Sequence, residues 1–278
     1  MDDGGGEGQS LTPFGAEMRR RHFLFDEDYV NLNHGSFGTY PSAVRKQLQA
    51  FQDAAEARPD VFIRDDVPVR LDASRELLAR LLCAPTSEIV LVPNATTGVN
   101  TVLRNLTYAP GDAIVYFSSI YGSCEKTILY LCEITPVRAE RIEVVHPAED
   151  DAVVGLLRAK LGELAHAGRR PRVVLFDTVV SMPGIRMPFE ELTEVVRKEG
   201  GGALSLIDGA HGVGHVDLDL GKLNADFFVS NCHKYESFRP PSTGRYPLIF
   251  LAAADFSTDG SSPLAPVPSS TSPRETSI

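Results

Sequence analysis

Hydrophobic positions recur along this chain with two different periods. After Pro41, the residues Val44, Leu48, Phe51 and Ala55 fall at three- and four-residue steps, the spacing of a helix with one apolar face. A second helix is predicted over Val69–Leu82, with Leu71, Leu77, Leu78 and Leu81 turned inward. The texture then changes to short apolar runs at Ile89–Val92, Ala113–Phe117, Ile142–Val145, Val173–Phe176, Leu204–Ile207 and Phe227–Val229. Helical patterns separate most of them, at Val99–Leu106, Cys124–Cys132, Ala152–Ala165 and Phe189–Lys198. Short runs bounded by Gly, Pro and Asp and spaced by helices predict an α/β fold, with a mostly parallel sheet sandwiched by helices. Leu248–Ala254 has room for one further strand.

Composition alters this picture at both ends. Residues 1–13 are predicted to be disordered, because four Gly and three Asp or Glu among the first twelve leave little to bury. Residues 14–235 read as one large domain. Residues 236–278 read as an atypical, disordered tail, since 11 of the 22 residues from Ser257 to Ile278 are Ser or Pro.

Charge and cysteine usage exclude several classes of function. The chain of 278 residues is 43% hydrophobic and carries a formal net charge of −10. With no Lys/Arg run longer than Arg19-Arg20-Arg21, such acidity argues against a nucleic-acid partner. No apolar stretch has the length of a membrane span, and Met1–Ser10 lacks the basic and apolar regions of a secretory signal. Cys83, Cys124, Cys132 and Cys232 show no CxxC spacing, which fits free thiols in the cytoplasm.

In parallel sheets, ligands sit beyond the carboxyl ends of the strands, so the residues just after each run are the candidates for chemistry. Pro93-Asn94-Ala95-Thr96-Thr97-Gly98 opens a helix whose free N–H groups and dipole suit an anion such as phosphate, although the same residues make an ordinary N-cap. Tyr121 follows the second run and can cover a flat heterocycle, or can simply be a rim tyrosine. Ser181 lies in a polar loop after Val173–Phe176. Asp208 ends the Leu204–Ile207 run, where a buried carboxylate calls for a cation such as a protonated pyridine nitrogen, or caps a turn. Lys234, beside His233 and after Phe227–Val229, can lose its proton in a dry pocket and act as an amine nucleophile. Taken together these residues supply a phosphate seat, a stacking ring, a pyridinium partner and a Schiff-base amine. A zinc site from His211, His215, Cys232 and His233 fits less well, since the two nearest histidines sit in a Gly-rich segment and no second ligand pair has finger-like spacing.

Four segments carry a family resemblance: Asn31-Leu32-Asn33-His34-Gly35-Ser36-Phe37-Gly38, Pro93-Asn94-Ala95-Thr96-Thr97-Gly98-Val99-Asn100, Asp208-Gly209-Ala210-His211 and Asn231-Cys232-His233-Lys234. They resemble the class V aminotransferase-type, fold-type I pyridoxal-phosphate enzymes, over about Phe14 to Tyr235. Within that family the chain is similar to the isopenicillin N epimerase-like branch. Arg20-Arg21-His22-Phe23-Leu24-Phe25 and Ala54-Ala55-Glu56-Ala57-Arg58-Pro59 add a likeness to the hercynylcysteine sulfoxide lyases of ergothioneine biosynthesis.

The resemblance implies pyridoxal 5'-phosphate as cofactor, held as a Schiff base by Lys234, with Asp208 on its pyridine nitrogen and Tyr121 on its ring. It implies Ala95, Thr96 and His233 at the phosphate, Ser181 near the phenolic oxygen, and Asn33, His34 and Gly35 facing a small amino-acid substrate. His211 stands beside the cofactor oxygen where desulfurase members carry Gln, so its protonation is expected to modulate the cofactor. The implied reaction is carbon–sulfur cleavage of a cysteine-conjugate sulfoxide by a homodimer, with epimerase, desulfurase or aminotransferase chemistry as the enzyme alternatives. Relatives continue past Tyr235 into a small C-terminal domain that supplies an Arg for the substrate carboxylate. Here the Ser/Pro-rich tail follows, which leads us to expect a truncated or misread gene product. An inactive cofactor-binding or partner-binding remnant is the alternative from another class.

Overall fold

A computed structural model describes residues 12–234 and 249–253. The disorder expected for residues 1–13 and for the tail at 236–278 therefore falls almost wholly outside the described residues. Helices α1 (Ala16–His22), α2 (His34–Phe37) and α3 (Ser42–Ala57) lead into α4 (Pro59–Val61), a π turn at Phe62–Asp66 and α5 (Val67–Leu82). Strands and helices then alternate as β1 (Ile89–Val92), α6 (Ala95–Asn105), β2 (Asp112–Phe117), α7 (Gly122–Ile134), β3 (Arg138–Ile142) and α8 (Asp150–His166). The series closes with β4 (Arg170–Asp177), α9 (Phe189–Glu199), β5 (Leu204–Asp208), α10 (Leu220–Leu223), β6 (Phe227–Val229) and β7 (Ile249–Ala253).

The seven strands form one sheet in the order β1-β7-β6-β5-β4-β2-β3. β7 pairs antiparallel with both β1 and β6, and every other pairing is parallel. Strand residues alternate between two cores. Val115, Phe117, Val174 and Phe176 pack on one face with Leu78 and Leu82 of α5, Leu157 and Leu161 of α8, and Leu192 and Val196 of α9. Ile114, Tyr116, Val173 and Leu175 pack on the other with Val99 and Leu103 of α6 and Ile128 and Leu131 of α7. From β2 the chain moves outward to β3, then returns to β4 on the opposite flank of β2. That reversal, the place where α/β sheets accept ligands, opens a cleft at the carboxyl ends of the strands.

Two details depart from the sequence pattern. β3 runs Arg138–Ile142 and not Ile142–Val145, and Val145 is exposed. The strand instead carries charged side chains, with Arg141 paired to Glu125 and Glu140 to Arg169, so an apolar run is the wrong signature for β3, although the other edge strand, β1, does carry one. In α5, Leu81 faces outward while Leu82, only 1% exposed, takes the core position with Leu78 and Ala79. Among the described residues, no helix is long and apolar enough to cross a membrane.

Candidate active site

The N-terminus of α6 forms one wall of the cleft. Asn94 is its N-cap, and its Oδ1 accepts from the Thr97 N–H at 2.7 Å and the Thr97 hydroxyl at 2.9 Å. The Ala95 N–H donates to Asn231 Oδ1 at 3.1 Å, tying this helix to the segment that follows β6. The helix can lie this close to the sheet because Gly98 has no side chain. A Cβ there would stand 2.7 Å from Val229 Cγ1.

The floor is acidic. Asp177 and Asp208 end β4 and β5 at paired register positions and are 4% and 3% exposed. Asp208 Oδ1 accepts the Ala210 N–H at 3.0 Å, and its Oδ2 lies 3.7 Å from the Cys124 thiol on α7. Burial pushes both carboxyls above the ordinary range, and repulsion from Asp208 adds to the rise at Asp177. Among the described residues, neither carboxylate makes a salt bridge to Lys, Arg or His. Gly209 lets the turn after β5 settle on the Phe228 ring, and Gly212 lets it pass close to Thr178.

Lys234 supplies the amine. Its Nζ lies 2.9 Å from His211 Nε2. Burial lowers the lysine's pKa, and the charges of Asp208 and Asp177 oppose that fall. Burial, Lys234 and His215 push His211 down to about 4, so its imidazole is neutral near pH 7 and Nε2 accepts from the lysine.

One cleft of about 190 Å³ gathers Ala95, Thr96, Tyr121, Ser181, Asp208, His211, His233 and Lys234. Asn33, His34 and Gly35 do not line it. They form the start of α2, with the His34 ring edge-on to Phe23 at 6.0 Å, and it is Ser36 that reaches the cleft. Sequence reasoning missed Asp177, although it ends the Val173–Phe176 run just as Asp208 ends its own. It also gave no role to Asn231, whose contact with Ala95 spans 136 residues and has no local signal. Cys124 and Cys232 are buried, and burial raises the Cys124 thiol, which removes it as a nucleophile. Among the described residues, no three His, Cys, Asp or Glu side chains gather where they could hold a metal ion. The arrangement provides a helix N-terminus for an anion, a carboxylate for a cationic ring, an aromatic side chain for its face and an amine beside it.

Comparison with known proteins supplies the family. Residues 41–238 match the family described as Aminotransferase class-V. An L-cysteine desulfhydrase-like protein, lolT1, of Epichloe uncinata is 40% identical over 223 residues, which are 80% of this chain and 48% of the relative. The hercynylcysteine sulfoxide lyase of Schizosaccharomyces pombe is 32% identical over 223 residues, 80% of this chain and 55% of the relative. The chain thus spans about half the length of the curated relatives it matches. The fold matches the cystine C-S lyase C-DES, solved with its product cysteine persulfide, at a TM-score of 0.70 and 20% identity, over 82% of this chain and 57% of that one. The chain belongs to the class-V aminotransferase family, whose cofactor is pyridoxal phosphate.

Proposed function

We propose that the protein is a pyridoxal-phosphate-dependent carbon–sulfur lyase acting on a small cysteine-type amino acid, with hercynylcysteine sulfoxide in ergothioneine biosynthesis as the specific substrate. The observation that carries this reading is the 2.9 Å contact of Lys234 Nζ with His211 Nε2 above two buried carboxylates. The residues present fit the cofactor: a buried carboxylate that makes no salt bridge among the described residues suits a cationic ring nitrogen, and the N-terminus of an 11-residue helix suits a phosphate. In this reading Ala95, Thr96 and His233 hold the phosphate, Asp208 the ring nitrogen, Tyr121 the ring face and Ser181 the phenolic oxygen. When bound, pyridoxal phosphate supplies an electron sink for the carbanion formed at the substrate's Cα.

The remaining chemistry belongs to the chain. Lys234, whose burial favours release of its proton, serves in its neutral form as the base that takes the Cα proton, and loss of that proton lets the sulfur group depart from Cβ. Neutral His211 receives a hydrogen bond from the amine and aims it. Ser36 and its neighbours Asn33, His34 and Gly35 are the segment from which a substrate contact arises. The names of two relatives, a cysteine desulfhydrase-like protein and a sulfoxide lyase, support carbon–sulfur cleavage over epimerisation. A homodimer in the cytoplasm completes the proposal.

The test is a visible absorption spectrum of the chain with added pyridoxal phosphate, followed by assays on cysteine and hercynylcysteine sulfoxide. We expect a borohydride-reducible band that Lys234→Ala abolishes, and pyruvate formed together with the released sulfur product. A band with no pyruvate from any cysteine derivative would sink the lyase reading, and racemised substrate would then support an epimerase.

A further inference from the structure

The cleft floor carries two acids where a single ring nitrogen calls for one negative charge. Asp177 and Asp208 face each other across neighbouring parallel strands, whose spacing is roughly 4.8 Å, and both are almost closed off from water. Two like charges in one dry site do not both ionise, so the pair holds a proton.

The surroundings treat the two acids unequally. Asp208 receives the Ala210 N–H on one oxygen at 3.0 Å and faces the Cys124 thiol with the other at 3.7 Å. Such donors favour the ionised form. Among the described residues no hydrogen-bond donor meets the Asp177 carboxyl; the charges that reach it are those of Asp208 and of Lys234, the latter acting on Asp208 as well and engaged with His211. The thiol itself is 1% exposed, anchored on α7, and is left unused by the lyase chemistry.

We propose that Asp177 and Asp208 share one negative charge, resident on Asp208, while Asp177 carries the proton, and that Cys124 is the positioning residue that fixes this division. Its use rests on the cofactor reading above: a floor of charge minus one matches one cationic ring. The direction of the Asp177 shift, well above the ordinary carboxylate range through burial and then repulsion from Asp208, agrees with the geometry.

Infrared difference spectroscopy of the full chain tests the division directly. At neutral pH we expect the carbonyl stretch of a protonated carboxylic acid, lost in Asp177→Asn and equally in Asp177→Ser should the amide variant not fold. Absence of that band in the unmodified chain, or its survival in both variants, overturns the proposal. Affinity for pyridoxal phosphate is the second readout. Asp208→Asn should weaken it on the order of 10–100-fold, the scale of a lost charge-assisted hydrogen bond, and Asp177→Asn by less than about threefold. Cys124→Ser should bind like the unmodified chain, whereas Cys124→Val, which fills the space without a donor, should bind several-fold more weakly. Equal losses from Asp177→Asn and Asp208→Asn, or from Cys124→Ser and Cys124→Val, count against the proposal. Failure of every chain to bind pyridoxal phosphate refutes the cofactor reading instead, and the infrared band still decides where the proton sits.

Discussion

Phe176 and Phe37 are the same residue in opposite surroundings, one 0% and the other 78% exposed. Phe176 sits on a central strand that receives helices on both faces. Phe37 closes a four-residue helix in a segment where Phe14, Leu24, Tyr29, Val30 and Leu32 are also exposed. Among the described residues that segment packs in a local cluster, in which Phe23 stacks on Phe25 at 5.6 Å and meets the His34 ring edge. The difference teaches that apolar content alone does not make a core; a sheet with two covered faces does. The largest effect should therefore come from Phe176→Ala, at about 3–5 kcal/mol in urea unfolding, against roughly 0.5 kcal/mol or less for Phe37→Ala. Equal losses would break the comparison.

Acid sharpens it next, because the cleft keeps a histidine neutral that the open chain does not. His211 falls from 6.5 to about 4 in the folded protein. As pH drops below 6.5 the unfolded chain takes up the proton first, so this contribution to stability is complete above about 6.5 and disappears on the way down to about 4. The loss is up to about 3 kcal/mol over that window. The buried carboxyls, whose pKa values rise, act with the opposite sign, so the informative quantity is the difference between the unmodified chain and His211→Gln. Their stability curves should converge as pH falls, and parallel curves would refute the assignment.

A third experiment tests the close approach that brings α6 to the sheet. Gly98→Ala places a methyl 2.7 Å from Val229 Cγ1, inside contact distance. Overpacking of this kind should cost about 1–3 kcal/mol. Val229→Ala in the same chain should return part of it, and purely additive losses would mean that the two residues do not meet.

These residues also mark how far the sequence could be read. Central strands were legible because burial on both faces writes an apolar run: Phe227–Val229 is β6 as predicted, and β2, β4 and β5 contain their runs with short extensions. β3 was misplaced because its residues Arg138, Glu140 and Arg141 write no apolar run, whereas the other edge strand, β1, does and lies at Ile89–Val92 as predicted. The eight residues expected at the cofactor line one cleft because parallel strands deliver their carboxyl ends to one edge. Ser36, Asn231 and the Cys124–Asp208 contact were not legible, since each depends on where distant segments touch and leaves no local period.

The smallest effect separates two asparagines at equivalent places. Asn94 and Asn33 are both N-caps, of α6 and α2. Only Asn94 uses its side chain for the cap, accepting the Thr97 N–H at 2.7 Å, while Asn33 makes no side-chain cap bond. Asn94→Ala should therefore lower stability by about 1 kcal/mol, and Asn94→Asp should retain most of it, because an aspartate accepts the same hydrogen bond. Asn33→Ala should change stability by a few tenths of a kcal/mol at most, since no cap bond is lost. Chemical denaturation of the three variants side by side checks the order. If the two alanine variants are equally damaged, helix capping in this chain is a matter of residue type alone. If only Asn94→Ala is damaged, the cap matters where a helix is already held against the sheet, and the N-terminus that lines the cleft is held in place by the same bond.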